Sequence, residues 1–326
     1  MTNQTSLPQS EDLDQTNHDH ALDEEKMLGQ KPPVGGTDAS GRKVKGYRPK
    51  IRTPFRSVIK HTLLILAAGV MIYPLLWMVA SSFRPNDLIF REAGLVISQV
   101  DWTNYPNGWD ALSEPFSKYL LNSAILVLGC ILGNLVSCSM AAYAFARLDF
   151  KFKKIMFVLM LMTIMLPIHV IIVPQYVMFS QIGWVNTFWP IIVPKLLATD
   201  GFFIFLMIQF IRGIPKDMDE AARIDGAGHP RIFLQVILPL MVPALATTAI
   251  FTFIWTWSDF FTSLIYLTNP SNYTVQVALN AFIDSTGESN WGALFAMSIV
   301  TLIPVFLAFL FGQKYLVKGI ATTGIK

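Results

Sequence analysis

Glu220, Arg223 and Asp225 are three charged side chains of a short polar stretch that lies between two long apolar segments. Charged groups of this kind can make directional contacts with another protein. Small side chains beside them keep the surface low, so that a partner's backbone can approach closely: Ala221, Ala222 and Ala227. The chemistry that these residue types indicate is docking into a cleft of a partner, not a reaction carried out by the chain itself.

The residues around this stretch predict a short helix. Pro215 suits the first position of a helix, and Asp217 and Asp219 place negative charge at the positive end of its dipole. Asp225 followed by Gly226 is a typical helix end. The pattern therefore predicts a helix of about ten residues, roughly 15 Å long.

The stretch closely resembles the EAA loop of importer-type ABC transporter permeases. The pattern of that loop is EAA, two residues, DGA, five residues, a phenylalanine, two residues, an aliphatic residue, one residue and LP. Ten residues of this chain stand at those positions: Glu220, Ala221, Ala222, Asp225, Gly226, Ala227, Phe233, Val236, Leu238 and Pro239. The resemblance implies a coupling helix that docks on a cytoplasmic ATPase subunit and transmits its closure to the membrane domain, through Glu220, Ala221, Ala222, Asp225, Gly226, Ala227 and Gly228.

The composition predicts an all-α integral membrane protein. Hydrophobic residues make up 53% of the chain and charged residues 14%, whereas soluble domains carry roughly 25% charged residues. Apolar runs that could cross about 30 Å of hydrocarbon predict six transmembrane helices, around residues 62–83, 119–144, 155–180, 187–211, 237–267 and 291–313.

Lysine and arginine alternate along the chain in a way that predicts its orientation. Eight lie between residues 42 and 60, four between 147 and 154, four between 212 and 231 and three in the C-terminal tail, whereas the alternate loops hold three, none and none. By the positive-inside rule we expect both termini and the EAA loop on the cytoplasmic side of the cell membrane.

The sequence divides into two regions. Residues 1–57 are poor in apolar residues and predict a disordered cytoplasmic tail, ending in a basic juxtamembrane segment that can contact anionic lipid headgroups. Residues 58–326 predict a six-helix permease domain, with a core at about 115–313 and the EAA coupling loop at about 212–236.

The resemblance covers nearly all of residues 58–326 and is closest to the carbohydrate-type permeases. The C-terminal tail carries the pattern of that branch at Gln313, Gly319, Gly324 and Lys326. The resemblance implies a type I ABC importer transmembrane domain that works by alternating access and imports di- or oligosaccharides. The partners it implies are cytoplasmic ABC ATPase subunits, a second permease that is homologous or identical, an extracytoplasmic solute-binding protein and the lipid bilayer.

Two charges stand inside the apolar sequence of the fourth predicted span, Lys195 and Asp200. An unpaired charge in hydrocarbon costs roughly 2.5 to 3.5 kcal/mol on insertion scales, so these residues should face a wet cavity, the outer boundary or each other. A spacing of five is not that of helical neighbours. Pairing therefore needs a distortion of the helix, which Pro194 and Gly201 can provide.

Four further residues are candidates for a substrate pathway. Asn134 lies in the middle of the second predicted span, and Trp257, Ser258 and Asp259 lie near the outer part of the fifth. Aromatic faces bind the C–H surfaces of sugars, and polar groups bind their hydroxyls. The family often has Trp-Asn-Asp at the latter position, so the serine here puts an amide contact with substrate in doubt.

The sequence contains no phosphate-binding loop of the form GxxxxGK[ST]. We therefore expect ATP and Mg²⁺ on a partner ATPase, with no cofactor, metal or enzymatic activity in this chain. Three alternatives stay open at this point: an importer of glycerol phosphate or a polyol, an ion-coupled secondary transporter or channel, and a membrane enzyme, for which no HExxH or GxSxG motif is present.

Overall fold

The computed structural model describes residues 54–92, 94–283 and 290–321, and every regular element within these ranges is helical. The α-helices are α1 Pro54–Ser82, α2 Asn104–Trp109, α3 Phe116–Arg147, α4 Lys153–Ile164, α5 Ile168–Gln181, α6 Trp189–Leu196, α7 Gly201–Gly213, α8 Asp217–Ile224, α9 His229–Ile232, α10 Leu238–Leu240, α11 Val242–Trp257, α12 Phe261–Tyr266, α13 Val275–Ala281 and α14 Trp291–Ala321. A π-helical turn covers Phe233–Ile237, and a 3₁₀ turn covers Pro270–Asn272.

The described residues belong to two compact units, divided after Val70. Residues 57–70 of the first unit are helical and exposed, as expected of a helix that faces lipid. The second unit begins at Met71 and holds all the contacts described below. The predicted tail lies outside the described residues as far as residue 53, and so does the end of the C-terminal pattern.

Within the part of the chain that the structure describes, four stretches are long and apolar enough to cross a membrane: Ser57–Ser82, Phe116–Arg147, Trp189–Gly213 and Trp291–Lys314. Two further stretches are bent pairs. Lys153–Ile164 and Ile168–Gln181 meet at 102°, and His229–Leu240 and Val242–Trp257 meet at 75°. Proline lacks the amide hydrogen that continues a helix, and Pro167 and Pro243 stand at these bends. The all-helical class is confirmed, whereas the count of six stays a prediction.

Helix α3 is the central helix of the second unit. It contributes side chains to three buried apolar clusters of the described residues: Cys138, Ala142 and Tyr143 to the first, Phe116, Tyr119 and Val127 to the second, and Leu126 and Cys130 to the third. Both cysteine thiols are free and fully buried. The opposite face of α3 presents leucines such as Leu128 and Leu132 at its surface.

Small residues spaced by four let α3 approach α6 closely. A Cβ atom added to Gly129 would lie 2.8 Å from the Ile192 side chain, and one added to Gly133 would lie 3.0 Å from Cβ of Lys195. One turn further on, Ser137 Oγ donates a hydrogen bond to the Lys195 carbonyl at 2.6 Å. A GxxxG spacing of this kind brings membrane helices into backbone contact. Here it holds α3 against the end of α6.

Candidate functional site

The span Trp189–Gly213 is interrupted where α6 ends and α7 begins. Residues 197–200 leave the helix, and Ala198 takes a left-handed conformation with φ of 56°. This break brings Lys195 Nζ within 2.9 and 3.0 Å of the two carboxylate oxygens of Asp200. The two charges considered in the sequence therefore pair with each other, across a distortion of the helix.

Asn134 connects this ion pair to two other helices. Its Nδ2 donates to Asp200 Oδ2 at 2.7 Å and to Thr252 Oγ1 of α11 at 3.1 Å. Asn134 and Thr252 are buried, so the amide satisfies both acceptors away from bulk water. One side chain of α3 thus joins the break to α11.

A cavity of about 970 Å³ opens beside the pair. Its lining combines charged, hydroxyl and amide side chains with one indole: Lys195, Asp200, Asp259, Thr163, Thr199, Thr256, Ser258, Thr262, Tyr266, Gln175 and Trp255. Three of the candidates, Asp200, Ser258 and Asp259, therefore line one cavity. Asn134 lies behind this lining, in contact with Asp200.

Trp257 lies away from this cavity. Its ring stacks on that of Phe253 with centroids 5.5 Å apart, and its Nε1 donates to the Thr301 carbonyl at 3.2 Å. Successive helical residues turn by about 100°, so Trp255, two positions earlier, faces the opposite side and lines the cavity. The sequence analysis chose Trp257 and not Trp255 as the candidate, although a spacing of two places the two tryptophans on opposite sides of a helix.

Removal of the Asp200 carboxylate is expected to destabilise the protein, because Lys195 would keep its charge without a partner. Asp200→Ala should lower the free energy of unfolding by on the order of 2–3 kcal/mol, read as a lower apparent melting temperature in detergent. Asp200→Ala combined with Lys195→Met should recover most of this loss. An unchanged melting temperature in Asp200→Ala would show that the pair does not stabilise the break.

The polar stretch forms the predicted short helix, α8, with eight residues from Asp217 to Ile224. Its C-terminus closes in two hydrogen bonds, from Gly226 N to the Arg223 carbonyl at 3.0 Å and from Ala227 N to the Ala222 carbonyl at 2.9 Å. Gly226 has φ of 80°. This is a Schellman motif, in which glycine takes the left-handed position. The helix begins two residues after Pro215, so it is shorter than the predicted length of about ten residues.

Residues 217–228, called the docking segment below after the role that the sequence predicts for them, present an exposed surface. Glu220, Ala221, Asp225, Gly226 and Gly228 are exposed, and Ala222 and Ala227 are half-buried. Beside them Ile224 projects with 87% of its surface accessible. The sequence reasoning did not single out Ile224.

The docking segment is attached to the end of α3. Within α8 the buried residue is Asp219, whose Oδ2 lies 2.8 Å from Nε of Arg147, the last residue of α3. One turn earlier in α3, Tyr143 packs on Phe233 with ring centroids 5.2 Å apart. The sequence reasoning missed these contacts, because nothing in the local pattern joins two residues so distant along the chain.

Comparison with known proteins places the chain in a family. Residues 123–322 match the model of the family "Binding-protein-dependent transport system inner membrane component". The diacetylchitobiose uptake system permease protein NgcG of Streptomyces coelicolor is 31% identical over 81% of this chain and 87% of its own length. The trehalose/maltose transport system permease protein MalG of Thermococcus litoralis is 33% identical over 82% of this chain and 98% of its own length.

A solved structure shares the fold. It is a bacterial ABC transporter involved in the import of the acidic polysaccharide alginate, and one of its chains superposes with a TM-score of 0.72 at 20% identity, covering 82% of this chain and 99% of that one. The resemblance proposed from the sequence and the all-helical importer fold that it implied are thereby confirmed. The chain belongs to the binding-protein-dependent transport system inner membrane components, the membrane-spanning permease subunits of ABC importers.

Proposed function

We propose that this permease carries di- or oligosaccharides through the cavity beside the Lys195–Asp200 pair. The main support for this function is the cavity itself. Its volume of about 970 Å³ lies within the range of roughly 300–1,000 Å³ typical of small-molecule sites. Its lining includes one half-exposed indole, that of Trp255, and many hydroxyl, amide and carboxylate groups, which is the combination that a sugar needs.

The charges of the cavity favour a neutral sugar over a phosphorylated one. Its lining holds one cation, Lys195, and two carboxylates, Asp200 and Asp259. Lys195 is already paired with Asp200, so a phosphate entering the cavity would meet Asp259 without a free cation to balance it. The glycerol-phosphate alternative is therefore the weaker one. The two relatives are named for the transport of diacetylchitobiose and of trehalose and maltose, which agrees with a neutral oligosaccharide.

The docking segment is proposed to bind a cytoplasmic ATPase. Its exposed surface combines the charge of Glu220, the apolar side chain of Ile224 and a turn of small residues, which suits insertion into a cleft. The ATPase would supply ATP binding and hydrolysis, a second permease the other half of the pathway, and an extracytoplasmic binding protein the substrate. With the docking segment on the cytoplasmic side of the membrane, both termini of the chain also lie in the cytoplasm.

Purification of the chain from its native membrane in mild detergent tests the partners. We expect a Walker-motif ATPase and a second permease to co-purify with the wild type, and Glu220→Ala to weaken retention of the ATPase. Glu114→Ala, which removes an acidic residue outside the docking segment, is the matched control and should retain it. Recovery of the intact chain without any ATPase would overturn the proposal.

Uptake by the complete complex in vesicles tests the cavity. Trp255→Leu should lower the uptake of the transported oligosaccharide roughly tenfold, since the loss of one aromatic contact is worth about 1 kcal/mol or slightly more. Trp102→Leu removes an exposed indole that does not line the cavity and should leave uptake unchanged. Maltose, diacetylchitobiose and glycerol 3-phosphate form the competitor panel. Competition by glycerol 3-phosphate alone would contradict a sugar substrate.

A further inference from the structure

The contact between Arg147 and Asp219 is buried on both sides. The Arg147 side chain is 3% exposed and that of Asp219 7%. Arg147 Nη2 also donates to the Ile214 carbonyl at 2.7 Å, just before the docking segment. The end of α3 therefore holds both the approach to α8 and its first turn.

Stability alone does not account for such a pair. Two charges lose their hydration when they are buried, and a well-packed apolar pair of the same volume is often equally or more stable. A buried charge pair differs from apolar packing because each charge loses its compensation when the two separate, which makes their separation costly. What the pair adds here is a fixed position of α8 relative to α3.

The same helix also contacts a residue that lines the cavity. Asn134 precedes Arg147 by 13 positions in α3, which corresponds to about 20 Å along a helix. At its position along α3, Asn134 is hydrogen-bonded to Asp200 beside the cavity and to Thr252 of α11. One continuous helix thus contacts the docking segment at one end and the lining of the cavity near its middle.

We propose that Arg147 and Asp219 are positioning residues that pass a displacement of the docking segment to α3, and through Asn134 to the break beside the cavity. This inference rests on the proposed function, because it takes α8 as the site where the ATPase acts. Tyr143 gives a second attachment, through its hydroxyl 3.4 Å from His229 Nδ1 and its ring on Phe233. The docking segment is therefore held by α3 on both sides, and among the described residues only Arg147 reaches α8 itself through a buried charge.

The test is the amount of sugar taken up per ATP hydrolysed by the whole complex in vesicles. Arg147→Met should lower this ratio roughly tenfold, within the usual range of coupling between sites, while the ATPase still co-purifies. Arg147→Lys keeps the charge and should retain most of the ratio. An unchanged ratio in Arg147→Met would overturn the inference.

A double variant separates coupling from stability. Arg147→Met with Asp219→Leu removes both charges, so its melting temperature should return to the wild-type value, whereas the uptake per ATP should stay low. If the uptake per ATP returned to the wild-type value together with the melting temperature, the pair would be only structural and the inference would be overturned. Failure of the proposed function is distinguished by the wild type, which would then retain no ATPase and take up no sugar with ATP.

Discussion

Replacement of Gly226 with valine should abolish ATP-driven uptake and leave the membrane helices folded. Gly226 closes α8 with φ of 80°, and a Cβ atom added there would meet nothing within 4 Å. The cost is therefore conformational, about 1–2 kcal/mol for any side chain in the left-handed region and greater for a β-branched one. The chain would relieve this conformational strain by opening the Schellman turn. That change would displace Asp225 and Ile224. Uptake and retention of the ATPase are the measurements.

Two controls isolate the turn at Gly226. Gly226→Asn should keep most of the uptake, since asparagine tolerates the left-handed conformation better than other side chains. Gly183→Val places the same strain at a second glycine, which has φ of 71° and equally open surroundings but lies outside the docking segment. It should retain the ATPase. Full uptake in Gly226→Val would mean that the closing turn plays no part in docking.

Replacement of Gly133 with leucine should prevent the protein from folding. A Cβ atom at Gly133 would lie 3.0 Å from Lys195 Cβ and 3.1 Å from the Leu196 amide nitrogen, both parts of α6 that α3 touches directly. A leucine adds three more carbon atoms, and overpacking of this kind costs about 1–3 kcal/mol or more. The displaced α6 would also lose the hydrogen bond from Ser137 to the Lys195 carbonyl. We expect the yield of monodisperse protein in detergent to fall to a small fraction of the wild type.

Val136→Leu is the matched control for this effect. It enlarges a residue of the same helix that is 56% exposed, so that the added methylene meets no neighbouring helix. Its yield should equal that of the wild type. A normal yield of Gly133→Leu would show that α3 and α6 are not in backbone contact.

The sequence predicted those features whose signals are local. The turn after α8 follows from Asp225-Gly226, because glycine is the residue that takes a left-handed position without strain. The break at residues 197–200 follows from Pro194, Gly201 and the cost of two charges in an apolar span. In both cases a few neighbouring residues determine the backbone, so reading along the chain is sufficient.

Contacts between helices that are far apart along the chain could not be predicted from the sequence. The pairing of Arg147 with Asp219 has no local pattern. The choice between Trp255 and Trp257 depends on which side of α11 faces the cavity, and both sides of that helix are rich in aromatic residues. The transmembrane spans were predicted from the lengths of apolar runs, and the length of a run does not show whether its helix is bent. The structure places bends of 102° and 75° within two of the six predicted spans.

The burial of both native thiols makes the docking segment accessible to spectroscopy. The chain has two cysteines, Cys130 and Cys138, and both are enclosed within the bundle. A thiol-reactive label would therefore attach preferentially to a cysteine introduced at an exposed position such as Ile224→Cys. A spin label or fluorophore there could follow the docking segment during the ATP cycle without first removing the native cysteines, which pack in the core of the molecule.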